Sequence, residues 1–427
     1  MTAQLEVPTR DAKRMNGMFR ALSHRNFRLF WAGAFLSNVG TWMQAVAQGW
    51  LVLQLTDSAF WLGLDGFMAT APGLLLTLIG GVFADLIDRR RILIFTQVGA
   101  GLSALTLAVL IVTGVVNNEA DVWIILMLSF ATGCCMALAS PSYQAITIDL
   151  VGREDLANAI ALNSTQFQLS RVIGPTFAGL AFRVLGLAGC FFANAASFVA
   201  VVTALLMVRF DEARKSAAPA HSVKDRRALW HDLTDGFRYV WRRQRVFMLL
   251  MISAVTSLFG APYLAMMPLF ARDILHMGET GLALMMGMSG AGAFIGALVL
   301  AYLGNFRHKG WFVLGGSFFF ALCVIGFALA THVYTSLAFI FGMGFAIVCS
   351  VAVTNTLLQQ LVRDEMRGRV LSMFMLSFIG TMPIGNLIAG AASERFGAPH
   401  TLASGGLIIA LFIAVLTLRY KSLRELH

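Results

Sequence analysis

Twelve long apolar runs, separated by short polar connections, dominate the pattern of hydrophobic and polar positions along this chain. In the first part they cover residues 29–55, 59–84, 92–116, 122–148, 157–182 and 187–208. In the second they cover 246–270, 281–303, 311–330, 334–361, 370–392 and 401–418. Most reach or exceed the roughly 20 residues that carry a helix across the hydrocarbon core of a bilayer, so tilt or protrusion is expected. Backbone amides in lipid need partners within their own segment, which predicts helices rather than irregular chain. The expected fold class is an all-α polytopic membrane protein with twelve transmembrane helices.

Charge adds an orientation. Of 32 Lys and Arg, 28 lie before the first run, between the second and third, and so on in alternate connections to the tail. Three, Arg183, Arg272 and Arg395, lie in the other connections, and Arg171 lies inside a run. The positive-inside rule then puts both termini in the cytoplasm, which requires an even number of crossings. With 58% hydrophobic and 13% charged residues, the apolar surface exceeds what one water-soluble core can hide. The formal charge of +10 is spread over the loops of one side, so anionic lipid rather than nucleic acid is the expected partner. Residues 1–28 carry no apolar core, and no cleavable leader is expected there. All five cysteines, Cys134, Cys135, Cys190, Cys323 and Cys349, fall inside runs without metal-ligand spacing. They read as small packing residues rather than disulfide partners or metal ligands.

The longest polar connection, 209–245, carries ten Lys or Arg and divides six runs from six. The expected organisation is a cytoplasmic segment 1–28, an N-terminal bundle 29–208, a linker 209–245, a C-terminal bundle 246–418 and a cytoplasmic tail 419–427. Within the linker, Trp230, Leu233, Phe237 and Trp241 recur at helical spacing and suggest an amphipathic helix on the inner leaflet, a solvated helix being the alternative. The two parts also match at fixed offsets. Adding 211 takes Leu150-Val151 to Leu361-Val362, Glu154 to Glu365, Gly174 to Gly385, Gly179 to Gly390 and Gly186 to Gly397. Adding 218 takes Gly63-Leu64 to Gly281-Leu282 and Arg89 to Arg307. Parallel six-span repeats are a pattern of proteins whose pseudo-symmetric halves enclose a central pathway.

Between the second and third runs stands Gly81-Val-Phe-Ala-Asp85-Leu-Ile-Asp88-Arg89-Arg90-Arg91, a glycine, an acid four residues on, then a basic cluster. It resembles the signature loop of the major facilitator superfamily. Gly81 permits close helix approach, Asp85 at a helix end suits the N-terminus of a helix in the other half, and the basic cluster suits an acid, with Asp149 as the candidate. Together these form a candidate cytoplasmic gate; a loop that only orients the chain is the alternative. Ser170-Arg171-Val-Ile-Gly174-Pro175-Thr-Phe-Ala178-Gly179 resembles the superfamily's antiporter motif, with Ser170 and Ala178 in place of glycines. There Gly174-Pro175 is expected to bend the helix and the small residues to admit a span from the opposite half, a packing kink without coupling being the alternative. Ser37-Asn38-Val-Gly40-Thr41-Trp42-Met43-Gln44, Pro141-Ser-Tyr143-Gln144, Asn163-Ser164 and Gly-Thr-Met-Pro383-Ile-Gly385 extend the resemblance to the bacterial export branch that includes enterobactin exporters. The resemblance implies two pseudo-symmetric six-helix bundles in a bacterial inner membrane. It also implies proton-driven efflux of a small amphipathic molecule, siderophore or drug-like, by a monomer.

The superfamily's first and fourth helices line its cavity, and here Ser37, Thr41, Gln44 and Gln48 make one polar stripe at i, i+4, i+7, i+11. Ser140, Tyr143, Gln144 and Thr147 do similarly. Substrate contact and interhelical hydrogen bonding both fit these residues. Arg171 lies near mid-bilayer, where an arginine costs about 2.5 to 3.5 kcal/mol on insertion scales and must face water, a partner or an anion. It is a candidate for attracting a phenolate or carboxylate, or for controlling a nearby acid, hydrogen bonding to the carbonyls of a broken helix being the alternative. Asp65, about 9 Å from the outer end of its run at 1.5 Å per residue, is the leading proton carrier by elimination, with hydration from outside as the alternative. Gly290-Ala-Gly292-Ala-Phe-Ile-Gly296 lies in an apolar run without a preceding strand and reads as helix packing rather than a dinucleotide loop. No phosphate-binding loop, metal site or cofactor is expected, and no catalytic constellation emerges. An importer of the same fold, or a receptor or lipid-moving protein without coupled transport, remain open.

Overall fold

The structure, a computed structural model, describes residues 17–208, 235, 237–304 and 306–426, except for the side chains of residues 18, 75 and 77–86. Among the described residues the regular secondary structure is helical. The N-terminal set comprises α1 (Arg25–Thr56), α2 (Ala59–Leu86), α3 (Arg89–Val112), α4 (Val122–Val151) and α5 (Leu156–Met207). The C-terminal set begins with α6 (Gln244–Gly260), α7 (Tyr263–Leu269) and a π-helical turn, Phe270–Ile274. It continues with α8 (Gly278–Leu303), α9 (Lys309–Leu329), α10 (Val333–Leu361), α11 (Asp364–Phe378), α12 (Thr381–Phe396), α13 (Ala398–Arg419) and the short α14 (Lys421–Arg424).

Each expected apolar run coincides with helix, and the boundaries shift where the chain has a local reason. The third run stops at Val112 instead of 116, because Thr113 and the left-handed Gly114 (φ 72°) close the helix. The seventh run is interrupted by Pro262, which supplies no backbone N–H and starts α7. The eleventh starts earlier, at Asp364, and is broken between α11 and α12. The fifth and sixth meet at the single residue Gly186, with φ 67° and ψ −175°, a conformation close to glycine-only territory. Through Gly174-Pro175 the dihedrals of α5 stay in the helical range, and Gly186, between the fifth and sixth runs, is the residue of α5 that leaves it.

Among the described residues, nine helical segments are long and apolar enough to cross a membrane, and the 52-residue α5 is more than twice the length one crossing takes. Large side chains such as Phe95 (77% exposed) and Leu418 (79%) face outward, which water would penalise and lipid accepts. The five cysteines are free.

The offset of 211 reappears in three dimensions. Gly186 and its counterpart Gly397 (φ 82°) both join consecutive helices in positive-φ conformations. Gly179 lies against Ala283 of α8, where an added Cβ would come within 3.3 Å of the alanine's own. Its counterpart Gly390 lies against Gly63 of α2, where a Cβ would come within 2.8 Å of the Gly63 Cα. Among the described residues the α5–α8 and α2–α12 pairs are thus the two most extensive contacts between the N- and C-terminal sets, and they are related by the repeat. Gly290 also joins the two sets, abutting the backbone of Arg171, whereas Gly292 and Gly296 abut Phe341 and Phe345 of α10 within the C-terminal set. Of the linker's apolar residues, Trp230 and Leu233 lie outside the described residues. Phe237 and Trp241 are exposed and stack at 5.8 Å within the helical segment 237–242.

Candidate functional site

The polar stripe of α1 becomes the spine of a hydrogen-bonded node that joins four helical segments. Gln44 and Gln48, one turn apart, are linked by Gln44 Nε2 donating to Gln48 Oε1 at 3.4 Å. Gln48 Nε2 lies 2.8 and 3.0 Å from the two carboxylate oxygens of Asp65 on α2, and 2.7 Å from Ser129 Oγ on α4. Ser129 in turn donates to Asp65 Oδ1 at 2.6 Å, with Ile125 O as a second acceptor at 2.9 Å. On the other side, Asn194 Nδ2 of α5 donates to Gln44 Oε1 at 2.6 Å, and Ser197 Oγ bonds Asn194 O and Oδ1 at 2.7 and 3.1 Å. Gly40 makes room for this pair, since a Cβ there would collide with Ser197 and Asn194.

Asp65 is half-buried, and among the described residues no cation lies within ion-pair distance of it. Its neighbours suit both protonation states. As a carboxylate it accepts from Gln48 and Ser129. As a carboxylic acid it donates to Ser129 Oγ, whose own proton then turns to Ile125 O. The higher stripe residues behave differently: Thr41 bonds back to Ser37 O at 2.9 Å, and Ser37 is buried.

Gln166 Nε2 of α5 donates to the Tyr143 hydroxyl of α4 at 3.2 Å, and the Tyr143 ring packs on Phe30 at 4.9 Å. Gln144 is exposed, and Thr147 is buried beside Asn163 Nδ2 at 3.2 Å. The sequence-derived set therefore separates into the Gln44–Gln48–Asp65 node and a second cluster around Tyr143.

Arg171 lies at the seam between the two sets. Its guanidinium stands 5.2 Å from the centroid of Trp42 on α1 and lies beside the side chain of Tyr263 of α7, whose hydroxyl is 2.8 Å from Ser289 Oγ on α8. Among the described residues no carboxylate is within ion-pair distance. Its charge is met by a π face and a hydroxyl, both neutral. Phe167, one turn away and 46% exposed, packs edge-on to Trp42 at 6.2 Å.

The antiporter-like segment divides its roles. Ser170 is buried and bonds Gln166 O at 2.8 Å. Gly174 packs against Trp42 and Val39 of α1, in its own set, rather than against the opposite half. Pro175 is buried beside it, and Gly179 faces α8. The cross-set approach expected of this stretch is made by Gly179 and, from the facing helix, Gly290.

At the loop between α2 and α3, Arg89 Nη1 pairs with Asp149 Oδ2 at 2.9 Å, a contact within the N-terminal set. Asp88 caps α3 by accepting from the backbone N–H of Arg90 and Arg91 at 2.9 and 3.2 Å. Arg90 reaches Leu206 O at 2.8 Å, near the C-terminus of α5, where the helix dipole favours a cation. The side chains at Gly81 and Asp85 lie outside the described residues.

A helical membrane protein with a polar node, a seam arginine and two repeat-related contacts has the form of a transporter, and comparison with known proteins decides the family. Residues 16–427 match the model for the transmembrane secretion effectors of the major facilitator superfamily. The chain belongs to this family. It is 24% identical over 380 residues to the staphyloferrin A transporter of Staphylococcus aureus, covering 89% of this chain and 92% of that one. It is 22% identical over 394 residues to macrolide efflux protein A of Streptococcus pyogenes, covering 91% and 94%. The crystal structure of the nucleoside transporter NupG superposes with a TM-score of 0.71 at 13% identity, covering 93% of this chain and 99% of that one, which establishes a shared fold. The protein is a multi-pass secondary transporter of small molecules, of the bacterial inner-membrane type, and not an enzyme.

Ser129, Asn194, Tyr263 and Ser289 escaped the sequence reading, and Trp42 entered it only as part of the family resemblance. Asn194 was the findable one, because a buried amide in an apolar run needs a partner.

Proposed function

We propose that this transporter exports a small amphipathic molecule, siderophore or drug-like, in exchange for protons. Two six-helix bundles, 29–208 and 246–418, alternate access to a midplane site, with both termini in the cytoplasm. The observation that carries the coupling is Asp65, an acid that has no cationic partner among the described residues and is held by Gln48 and Ser129. It takes a proton from outside and releases it inward, and the hydroxyl of Ser129 adapts to both states. Each charge moved across 100 mV supplies about 2.3 kcal/mol.

Arg171 supports the substrate end of the reading. A cation in the membrane interior whose neighbours are neutral is suited to a phenolate or carboxylate, with Trp42 and Phe167 beside it for an apolar body. Gln144, exposed on α4, is suited to substrate oxygens. Arg89, Asp149 and Asp88 order the cytoplasmic end of the N-terminal bundle, where the signature loop serves as the gate.

Inverted membrane vesicles test the proposal. With an imposed proton gradient, acid inside, they should accumulate a macrolide or staphyloferrin A, and an uncoupler should abolish the accumulation. Accumulation only with the gradient reversed would make the protein an importer. Binding without accumulation in either direction would favour a receptor or lipid-moving role.

A further inference from the structure

Arg272 is one of only three Lys or Arg on the side that the positive-inside rule leaves nearly empty of them. The structure shows what it does there. Gly49 of α1 lies against Pro268 of α7, where a Cβ would come within 3.1 Å of the ring. One turn further along each helix, Arg272 in the π-helical turn meets the C-terminus of α1. Its Nη1 donates to Leu53 O at 3.3 Å, a carbonyl that also accepts from Asp57 N–H at 2.9 Å, and its Nη2 pairs with the Asp57 carboxylate. Asp273 holds the guanidinium from behind, at 2.6 Å from Nε and 3.0 Å from Nη2. Asp57 itself sits in the left-handed conformation that ends α1, at φ 52°.

The next helix start is gripped in the opposite sense. Where Gly63 and Gly390 cross, α2 and α12 come within backbone contact, with a Cβ on Gly63 only 2.5 Å from Asn386 O. One turn from that crossing, Glu394 of α12 accepts from Ser58 Oγ at 2.9 Å and from the backbone N–H of Phe60 at 3.2 Å, in the first turn of α2. The C-terminal set thus presents a cation to the negative end of α1 and an anion to the positive end of α2, on either side of the Asp57-Ser58 turn. Both charges match the helix dipoles they touch. A recess of about 310 Å³ between these groups is lined by Asp57, Asp273, Glu394 and Ser393.

The geometry points to an outer clasp: Arg272 and Glu394 grip the Asp57-Ser58 turn, hold the two bundles together at the external end, and must release it for substrate to leave. The inference rests on the alternating-access reading above and assigns the external gate to these residues. The signature-loop gate lies at the other end of α2, so the two closures are separate in space. The clasp also accounts for a base held against the orientation rule and for the π-helical turn, a feature common at functional positions, that carries it. Its ion pair is solvent-accessible, Asp57 being 80% exposed, so the grip is weak enough to open in each cycle.

The test is labelling of Asn386→Cys, a buried position at the α2–α12 seam, by an impermeant maleimide applied to the outside of intact cells, with the parent chain as blank. Arg272→Gln and Glu394→Gln should each raise the labelling rate at least threefold, and together more than either alone, while Arg272→Lys stays near the parent. Asp57→Asn reads the same pair from the other side if Arg272→Gln does not reach the membrane. Unchanged labelling in variants that purify as monodisperse protein would overturn the clasp. Proton-driven accumulation in vesicles of the Asn386→Cys parent separates the two readings. Intact accumulation with unresponsive labelling overturns the clasp alone. Responsive labelling without accumulation leaves the clasp standing and removes the export function.

Discussion

Replacing Asp65 by Asn isolates the coupling step from the architecture around it. The amide is nearly isosteric, but it titrates no proton. Gln48 and Ser129, at 2.6 to 3.0 Å, keep one acceptor oxygen, and the new NH2 group faces the Gln48 amide unless that amide turns over. Charge-assisted bonds worth about 1.5–3 kcal/mol become neutral ones worth about 0.5–1.5 kcal/mol, while the cost of an unpaired charge disappears. The two changes oppose each other, so stability should shift by about 1 kcal/mol at most. Transport should change far more. One proton moving across 100 mV is worth about 2.3 kcal/mol, which sustains a gradient of about 50-fold at 1.4 kcal/mol per decade. Asp65→Asn should therefore collapse accumulation of a macrolide or staphyloferrin A in energised inverted vesicles to equilibration. Counterflow exchange between preloaded and external substrate, which needs no net proton movement, should persist. Retention of gradient-driven accumulation would refute Asp65 as the proton site. Loss of counterflow together with thermal stability would reduce the residue to a structural role.

Other outcomes follow from the same geometry. Arg171→Gln should weaken binding of an anionic aromatic probe such as 2-naphthoate by ten- to a hundredfold, from loss of a charge-assisted bond of about 1.5–3 kcal/mol, and leave 2-naphthamide nearly unaffected. Calorimetry on the purified full chain reads the difference. Gly186→Ala should destabilise the protein by about 1–3 kcal/mol in denaturant melts, because φ 67° with ψ −175° suits only glycine. Gly73→Ala, whose Cβ meets nothing within 4 Å, should be neutral by comparison. Gly63→Val should abolish accumulation in vesicles without loss of monodisperse protein, since its Cβ would meet Asn386 O at 2.5 Å and hold α2 away from α12.

Much of this protein can be read in one dimension, and Asp65 and Arg171 show where that reading stops. Both are conspicuous as charges within apolar runs. Their neighbours are not: Ser129 lies 64 positions from Asp65, and Tyr263 comes to Arg171 from the other set. The same holds for Gly174 and Gly179. Both look like packing glycines, yet one serves α1 of its own set and the other faces α8 of the opposite one.

Hydropathy and the placement of Lys and Arg specified the helices and their expected orientation, because a bilayer imposes length and charge rules on each segment separately. Gly186 and Gly397, matched by offset before any coordinates, both prove to be helix junctions with positive φ. Which helices touch, and which polar groups meet, was decided by the tertiary structure. Contacts such as Gly63 on Gly390 depend on the rotation and approach of whole helices, quantities set by packing across the assembled bundle rather than by any one stretch of residues. The grip of Arg272 and Glu394 on a two-residue turn is the clearest case, since the partners are more than 200 positions apart and meet only because two crossings, Gly49 on Pro268 and Gly63 on Gly390, lie one helical turn below them.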